Sequence, residues 1–319
     1  MQTAKEKTKE KIGVIGQGFV GGSYADDFEN RGYEVVRYGL EEPYRNNREK
    51  IAECDVVFIA VPTPTIPHKK TGKSADNDRV THFDSSILKD TLKHIGKGKV
   101  AVIKSTITLG MTQEIQEENP DIFVFHSPEF LSEATAIQDA ANPKRNIIGI
   151  PIESQEYKEK AHIVLSTLPK APFELVCHSN EAELIKYGGN NWFYFKIMFV
   201  NMLYDIAQKS GAKWDTIRDA MSEDPRIGYS HLTPVHKSGT LGGDAYQLSP
   251  EISGDGERGA GGHCFIKDYA TFVEMYRENV GNEFGMNALR ALEQKNIHLL
   301  TKTKKDLDLL EGVYGKLDV

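Results

Sequence analysis

Over the first 150 residues, short apolar runs alternate with helical segments. Lys11–Ile15, Glu34–Tyr38, Asp55–Val61, Val100–Lys104, Ile122–Phe125 and Asn146–Ile150 read as strands, and most are apolar at every position. A strand apolar throughout, rather than at alternate residues, is covered on both faces, the condition of a parallel sheet between two helical layers. The pattern predicts an α/β fold: a Rossmann-type, doubly wound parallel sheet over residues 1–179, followed by a mainly helical domain over residues 180–319. From Glu181 to about Gly211 the sequence is helical and free of proline. Its middle, Trp192 to Leu203, is apolar on nearly every face, which predicts a helix buried all round. Such a helix would be the centre of the second domain or would cross a dimer interface. Ser238 to Gly262 is a polar tract with eight glycines, too long and glycine-rich for an ordinary connection, and marks an insertion near 233–260. The last sixty or so residues are again helical and increasingly charged.

Composition narrows the function classes. With 39 Lys plus Arg against 46 Asp plus Glu, the net charge is −7. No basic stripe interrupts it, so neither a nucleic acid nor an anionic membrane is an expected partner. The longest apolar run, Val56 to Val61, falls far short of the ~20 residues a spanning helix needs. The lysine-rich N-terminus leads into a glycine-rich turn and reads as a solvated tail, not a signal peptide. Three cysteines, Cys54, Cys177 and Cys264, form an odd set without CxxC spacing, which implies a reducing, cytoplasmic compartment. The ten histidines show no ligand spacing, so no metal is expected.

Gly16-Gln17-Gly18-Phe19-Val20-Gly21 follows the first strand and opens a helix. In a GxGxxG turn the first glycine makes the bend, the second lets backbone approach a pyrophosphate, and the third packs helix on strand. A dinucleotide site is therefore expected, with Gly16, Gly18, Phe19, Val20 and Gly21 on the cofactor. The acidic residue that should close the second strand and hold the ribose is replaced by Gly39, with Glu41 and Glu42 just beyond and Arg37, Arg45 and Arg48 nearby. NAD is the expected cofactor, and the arginines leave NADP open.

Four further segments, in this order, resemble the UDP-glucose/GDP-mannose dehydrogenase family: Val61-Pro62-Thr63-Pro64-Thr65, Lys104-Ser105-Thr106, Ser127-Pro128-Glu129-Phe130-Leu131-Ser132-Glu133, and Gly261-Gly262-His263-Cys264-Phe265-Ile266-Lys267-Asp268. Asn142–Arg145, Glu183–Asn190 and Asp224–Gly228 extend the likeness from residue 11 to about 300. The resemblance implies a nucleotide-sugar 6-dehydrogenase that oxidises a sugar C6 alcohol twice, to the uronic acid, with two NADH formed. It makes Cys264 the nucleophile, carrying first a thiohemiacetal and then a thioester. Lys186 and Asn190, at i and i+4, share a helix face, and a cation beside an amide suits a developing oxyanion. Glu129 would work through water on the acyl intermediate, Asp268 would be the second carboxylate of its hydrolysis, and Thr106 would hold a water or the nicotinamide end. Thr63, Pro64, Thr65, Ser105 and Glu133 would line the cofactor. Glu129, Phe130, Leu131, Lys186, Asn190, Gly261 and Lys267 would meet the substrate. Arg226 would reach it from the partner subunit of a homodimer built on the central helix, and Arg145 would bond backbone near the end of its strand.

Two departures qualify the substrate. Family members carry a third, C-terminal α/β domain completing the nucleotide-sugar site, and the sequence stops at Val319, where only the linker helix is expected to end. The glycine-rich tract also lengthens the path from Gly228 to Cys264; as a lid it would bring Arg258 or Lys237 to a diphosphate. Two other functions stay open: a single-step 3-hydroxyacid or phosphogluconate-type dehydrogenase, which shares the Lys-x-x-x-Asn pair but needs no thiol, and a nucleotide-binding regulatory subunit without turnover.

Overall fold

The computed structural model describes residues 9–66, 82–132, 135–237 and 256–316. The chain divides into two compact units, the first formed by Met1–Pro64, Asp84–Leu131 and Thr135–Lys186, the second by Thr65–Phe83, Ser132–Ala134 and Tyr187–Val319.

In the first unit, β1 (Ile12–Ile15) leads into α1 (Phe19–Asn30), followed by β2 (Val35–Tyr38) and β3 (Val56–Ile59). A two-residue antiparallel pair, β4 (Thr65–Ile66) and β5 (His82–Phe83), belongs to the second unit. The first unit continues with α2 (Ser86–Leu92), β6 (Val100–Ile103), α3 (Met111–Glu118), β7 (Phe123–His126), α4 (Ala136–Ala141), β8 (Arg145–Ile150), α5 (Gln155–Thr167) and β9 (Phe173–His178). Seven strands form one sheet in the order β2-β1-β3-β6-β7-β8-β9. Strand interiors alternate between two buried layers: Val56 and Phe58 join Ile12, Val14 and Phe28 on one face, while Val57 and Ile59 join Ile15, Ile103 and Val124 on the other. That double burial is why these runs lack polar positions.

The register carries the functional consequence. Ile15, Ile59, Ile103 and His126 stand side by side across β1, β3, β6 and β7. The turn after each strand therefore emerges at the same carboxyl edge, and β2 and β3 flank β1 on opposite sides, the switch point at which doubly wound sheets bind ligands.

The parallel expectation needs two corrections. β8 runs antiparallel to β7, paired through His126 and Gly149. β9, parallel to β8, is a seventh strand that the apolar pattern missed. It is an edge strand with exposed Phe173, so one side needs no apolar cover.

The second unit is helical, built from most of α6 (Ser179–Ser210), α7 (Trp214–Ser222), α8 (Gly262–Asn279), α9 (Glu283–Thr303) and α10 (Leu307–Tyr314). Its core packs Tyr194, Ile197 and Met198 of α6 against Tyr269 and Val273 of α8 and Met286, Leu289 and Leu299 of α9. α6 is not buried all round, as its composition suggested. Trp192, Phe199, Met202 and Ile206 are exposed, Trp192 and Ile206 at 64%, and their spacing of seven, three and four places them along one stripe. Among the described residues, no helix is long and apolar enough to cross a membrane.

Candidate active site

The glycine turn sits at the carboxyl end of β1, and each glycine has a separate reason. Gly16 has φ +90°, and a Cβ there would collide with the Ala60 carbonyl; a Cβ on Gly21 would collide with the Gly16 carbonyl. These two are required by the protein's own packing. Gly18, at the N-cap of α1, would meet nothing within 4 Å, so the protein's own packing does not require it and the backbone there is open to approach. No side chain caps α1, and its first-turn N–H groups make an anion cradle. The site thus fits a dinucleotide pyrophosphate. Phe19 is half exposed, whereas Val20 is partly buried and packs against the core.

The loops after β3 and β6 are tied together. Ser105 Oγ accepts the Val61 N–H at 3.0 Å and donates to the Val61 carbonyl at 2.7 Å, and Thr63 Oγ1 donates to the Thr106 carbonyl at 2.8 Å. The Ser105 hydroxyl, expected on the cofactor, is thereby engaged in shaping the loop that presents Thr63 and Pro64. Thr65 lies in β4, and Glu133 is outside the described residues.

Gly39 follows β2, with its Cβ position 3.3 Å from Gln17 Cγ. The nearby arginines have partners: Arg37 with Asp26 and Glu29, Arg45 with the Leu40 carbonyl, and Arg48 with His94. Opposite charges therefore hold Arg37, the arginine of β2, away from a phosphate role.

At the end of β7, Lys186 Nζ lies 2.6 Å from Glu129 Oε1 and donates to the Glu129 carbonyl at 2.8 Å, while Glu129 Oε2 accepts the Leu131 N–H at 2.8 Å. Both side chains are buried, 6% and 11% exposed. Predicted separately from two motifs, the residues form one buried ion pair. Phe130 stacks beneath the Arg145 guanidinium, 3.7 Å from its ring centroid; Arg145 therefore works at the start of its strand through an aromatic ring, not at the end through backbone.

Two groups inside the family-like segments were given no role from the sequence. Lys104 is buried beside Ser127 Oγ (2.9 Å) and Tyr24 Oη (3.3 Å), and burial pulls its pKa down to about 7. Glu183, one turn before Lys186, accepts the backbone N–H groups of Gly110 and Thr112 and the Thr112 hydroxyl; burial raises its pKa. A charged residue ending an apolar strand was the available signal for Lys104. Nothing local marks Glu183 as the group that caps α3.

In the second unit, Cys264 occupies the first turn of α8, behind the Gly261 N-cap, and is exposed. Helix dipoles favour an anion at that position. Cys54 and Cys177 are more enclosed, and burial pushes both thiols up to about 11, away from reactivity. One turn along α8, Asp268 is 1% exposed and has both oxygens engaged: Oδ1 by Lys267 Nζ at 2.6 Å and Oδ2 by Asn190 Nδ2 at 2.5 Å. Three expected site residues thus form one chain of contacts. Arg226 follows α7 and is 88% exposed, paired with Asp224. Arg258 does not reach toward a diphosphate; its guanidinium bonds Asn201 and Asp205 of α6.

Residues 42–166 match the model described as UDP-glucose/GDP-mannose dehydrogenase family, NAD binding domain, and residues 180–297 match that family's central domain, together well over half the chain. A UDP-glucose 6-dehydrogenase of Bacillus subtilis is 29% identical over 304 residues, covering 88% of this chain and 60% of its own length. The chain thus spans less than two thirds of that relative. A UDP-glucose dehydrogenase from Pyrobaculum islandicum superposes with a TM-score of 0.67 at 24% identity, over 93% of this chain and 70% of that one. The 3-hydroxyisobutyrate dehydrogenase of Mycobacterium tuberculosis superposes with a TM-score of 0.65 at 14% identity, over 96% and 98%. At these identities the two structures speak to fold alone.

Proposed function

The chain belongs to the UDP-glucose/GDP-mannose dehydrogenase family, and on that premise we propose that it takes part in NAD-dependent, two-step oxidation of a nucleotide-sugar C6 alcohol to the uronic acid. The supporting observation is the exposed thiol of Cys264 at a helix N-terminus, a group a single-step dehydrogenase does not need. NAD bound at the glycine turn supplies the hydride acceptor.

In this reading Lys186 and Asn190, one turn apart on α6, stabilise negative charge on the substrate oxygen. The Cys264 thiolate adds to the aldehyde to give a thiohemiacetal. Loss of the second hydride leaves a thioester, and water then releases the carboxylate and returns the thiol. Glu129 orients that water, and Asp268 holds Asn190 and Lys267 in place through its two oxygens. Thr63, Pro64, Ser105 and Thr106 shape the cofactor side, and Phe130, Leu131 and Gly261 the substrate side. The exposed stripe Trp192, Phe199, Met202 and Ile206 supports a homodimer through α6, from which Arg226 would serve the partner's substrate.

The test counts NADH per sugar oxidised with NAD and UDP-glucose, GDP-mannose or UDP-N-acetyl sugars. Two equivalents are expected, and Cys264→Ser should stop uronic acid release while leaving NAD binding intact. One equivalent, or release at the wild-type rate by Cys264→Ser, would overturn the thioester route. No NADH with any of these sugars would favour the regulatory reading.

A further inference from the structure

The segment leading into Cys264 is gripped residue by residue from the end of α9. The Asn296 side-chain amide pairs with both backbone groups of Ala260, at 2.7 and 3.0 Å, and Thr303 Oγ1 accepts the Arg258 N–H at 3.1 Å. Asp306 Oδ2 accepts the Gly262 N–H at 2.8 Å, two residues before the cysteine. Between them, Lys305 Nζ donates to the Gly259 carbonyl at 3.1 Å and to the His236 carbonyl at 3.0 Å. His236 and Gly259 lie on opposite sides of an antiparallel bridge, Val235 to Arg258, where the His236 N–H also donates to the Glu257 carbonyl. One ammonium therefore joins the chain entering the glycine-rich insertion to the chain leaving it for α8.

This grip is costly to build. Lys305 is 1% exposed. Its neighbours Lys304, which ends α9, and Asp306, which opens α10, both hold left-handed backbone, φ +56° and +49°, a conformation uncommon outside glycine. Burial lowers the Lys305 pKa to about 8, opposed by the charges of Asp306 and Glu257, and burial, with the ammonium nearby, likewise lowers the His236 pKa well below its ordinary value. A folded value below the ordinary 10.5 means that the cost of the charge grows as pH falls from about 10.5 and is full below about pH 8. A buried ammonium bonded to the chain on both sides of the bridge serves geometry.

We infer that Lys305 is a positioning residue for the Cys264 thiol, its ammonium setting the loop from which the first turn of α8 presents that sulfur. The proposal rests on Cys264 being the acyl carrier; the thiol's own reactivity tests the positioning separately from turnover.

The experiment is alkylation of the full chain by iodoacetamide between pH 6.5 and 9.5, read at Cys264 by peptide mass spectrometry, with Cys177 as internal reference. In the wild type, the Cys264 profile should show an added inflection near pH 8. Lys305→Met should change the Cys264 rate constant at least about fivefold while Cys177 is unmoved, as expected for a displaced reacting atom. Lys305→Arg keeps a charge that does not titrate in this range; its rate should lie near the wild type with the profile reduced to the thiol's own ionisation, and it carries the test if Lys305→Met does not fold. An unchanged Cys264 rate in Lys305→Met, parallel changes at Cys264 and Cys177, or a Lys305→Arg profile of the same shape as the wild type would each overturn the proposal. A Cys264→Ser chain that still releases uronic acid would remove the acyl-carrier reading and leave the positioning result standing.

Discussion

Removing the Lys186 ammonium perturbs the site where charge and burial are most tightly joined. Lys186→Met keeps the length of the side chain and deletes both bonds to Glu129, one to Oε1 and one to the backbone carbonyl. Breaking a buried pair from one side costs about 3–5 kcal/mol, because the remaining charge is left without compensation. Glu129 retains the Leu131 N–H, so the lower end, about 3 kcal/mol, is expected. With a urea slope of about 2 kcal/mol per molar, the midpoint should fall by about 1.5 M. Adding Glu129→Gln removes the stranded charge but keeps an acceptor for Leu131, so the double variant should recover at least about 1 kcal/mol, a coupling a double-mutant cycle resolves. Urea unfolding followed by far-ultraviolet circular dichroism at pH 7 measures all four proteins. A Lys186→Met midpoint within about 0.3 M of wild type, or a double variant no more stable than the single, would refute the buried-pair account. If Lys186 also faces the developing oxyanion, kcat should drop about 10²–10³-fold in Lys186→Met at urea-free, fully folded conditions.

Gly18→Ala should cost less than about 1 kcal/mol of stability yet weaken NAD binding at least about tenfold, since its Cβ would stand where a pyrophosphate approaches the helix N-terminus; Gly16→Ala should destabilise the fold itself. Thermal melts with NAD titrations separate the two, and unchanged affinity in Gly18→Ala would sink the cradle. Phe199→Glu, placed in the exposed α6 stripe, should turn a dimer into a monomer in sedimentation; a wild type that is already monomeric at micromolar concentration contradicts the dimer reading. Lys104 titrates near 7 when folded and near 10.5 when unfolded, so its stability contribution is lowest below pH 7 and recovers as pH rises toward 10.5. The stability difference between wild type and Lys104→Met should therefore move in favour of wild type from pH 7 to 10, with a slope approaching about 1.4 kcal/mol per pH unit; a difference flat with pH would contradict the buried cation.

The first unit was largely legible in the sequence because its signals are local. A doubly covered parallel strand must be apolar throughout, and a glycine turn must use glycine where φ is positive or atoms approach closely. Six strands and the loops at their carboxyl ends followed from those rules, as did the shared spacing of Lys186 and Asn190 on α6. Contacts between distant positions were another matter. Glu129 and Lys186 are 57 residues apart, and Asn190 and Asp268 are 78 apart; no local pattern says that they meet.

The apolar content of α6 predicted burial, but periodicity measures the width of an apolar face and not what covers it. In the folded chain, α8 and α9 cover one side and leave the stripe from Trp192 to Ile206 exposed. Nothing in the sequence marks Lys104 or Lys305 as buried; the fold takes both out of water, where desolvation changes what an ammonium does. The sequence alone determined most of the elements and the glycine turn, and it marked Cys264 as the candidate thiol. Tertiary structure decided which charges are buried, because the free energy of a charge depends on the solvent and partners around it, and folding sets both.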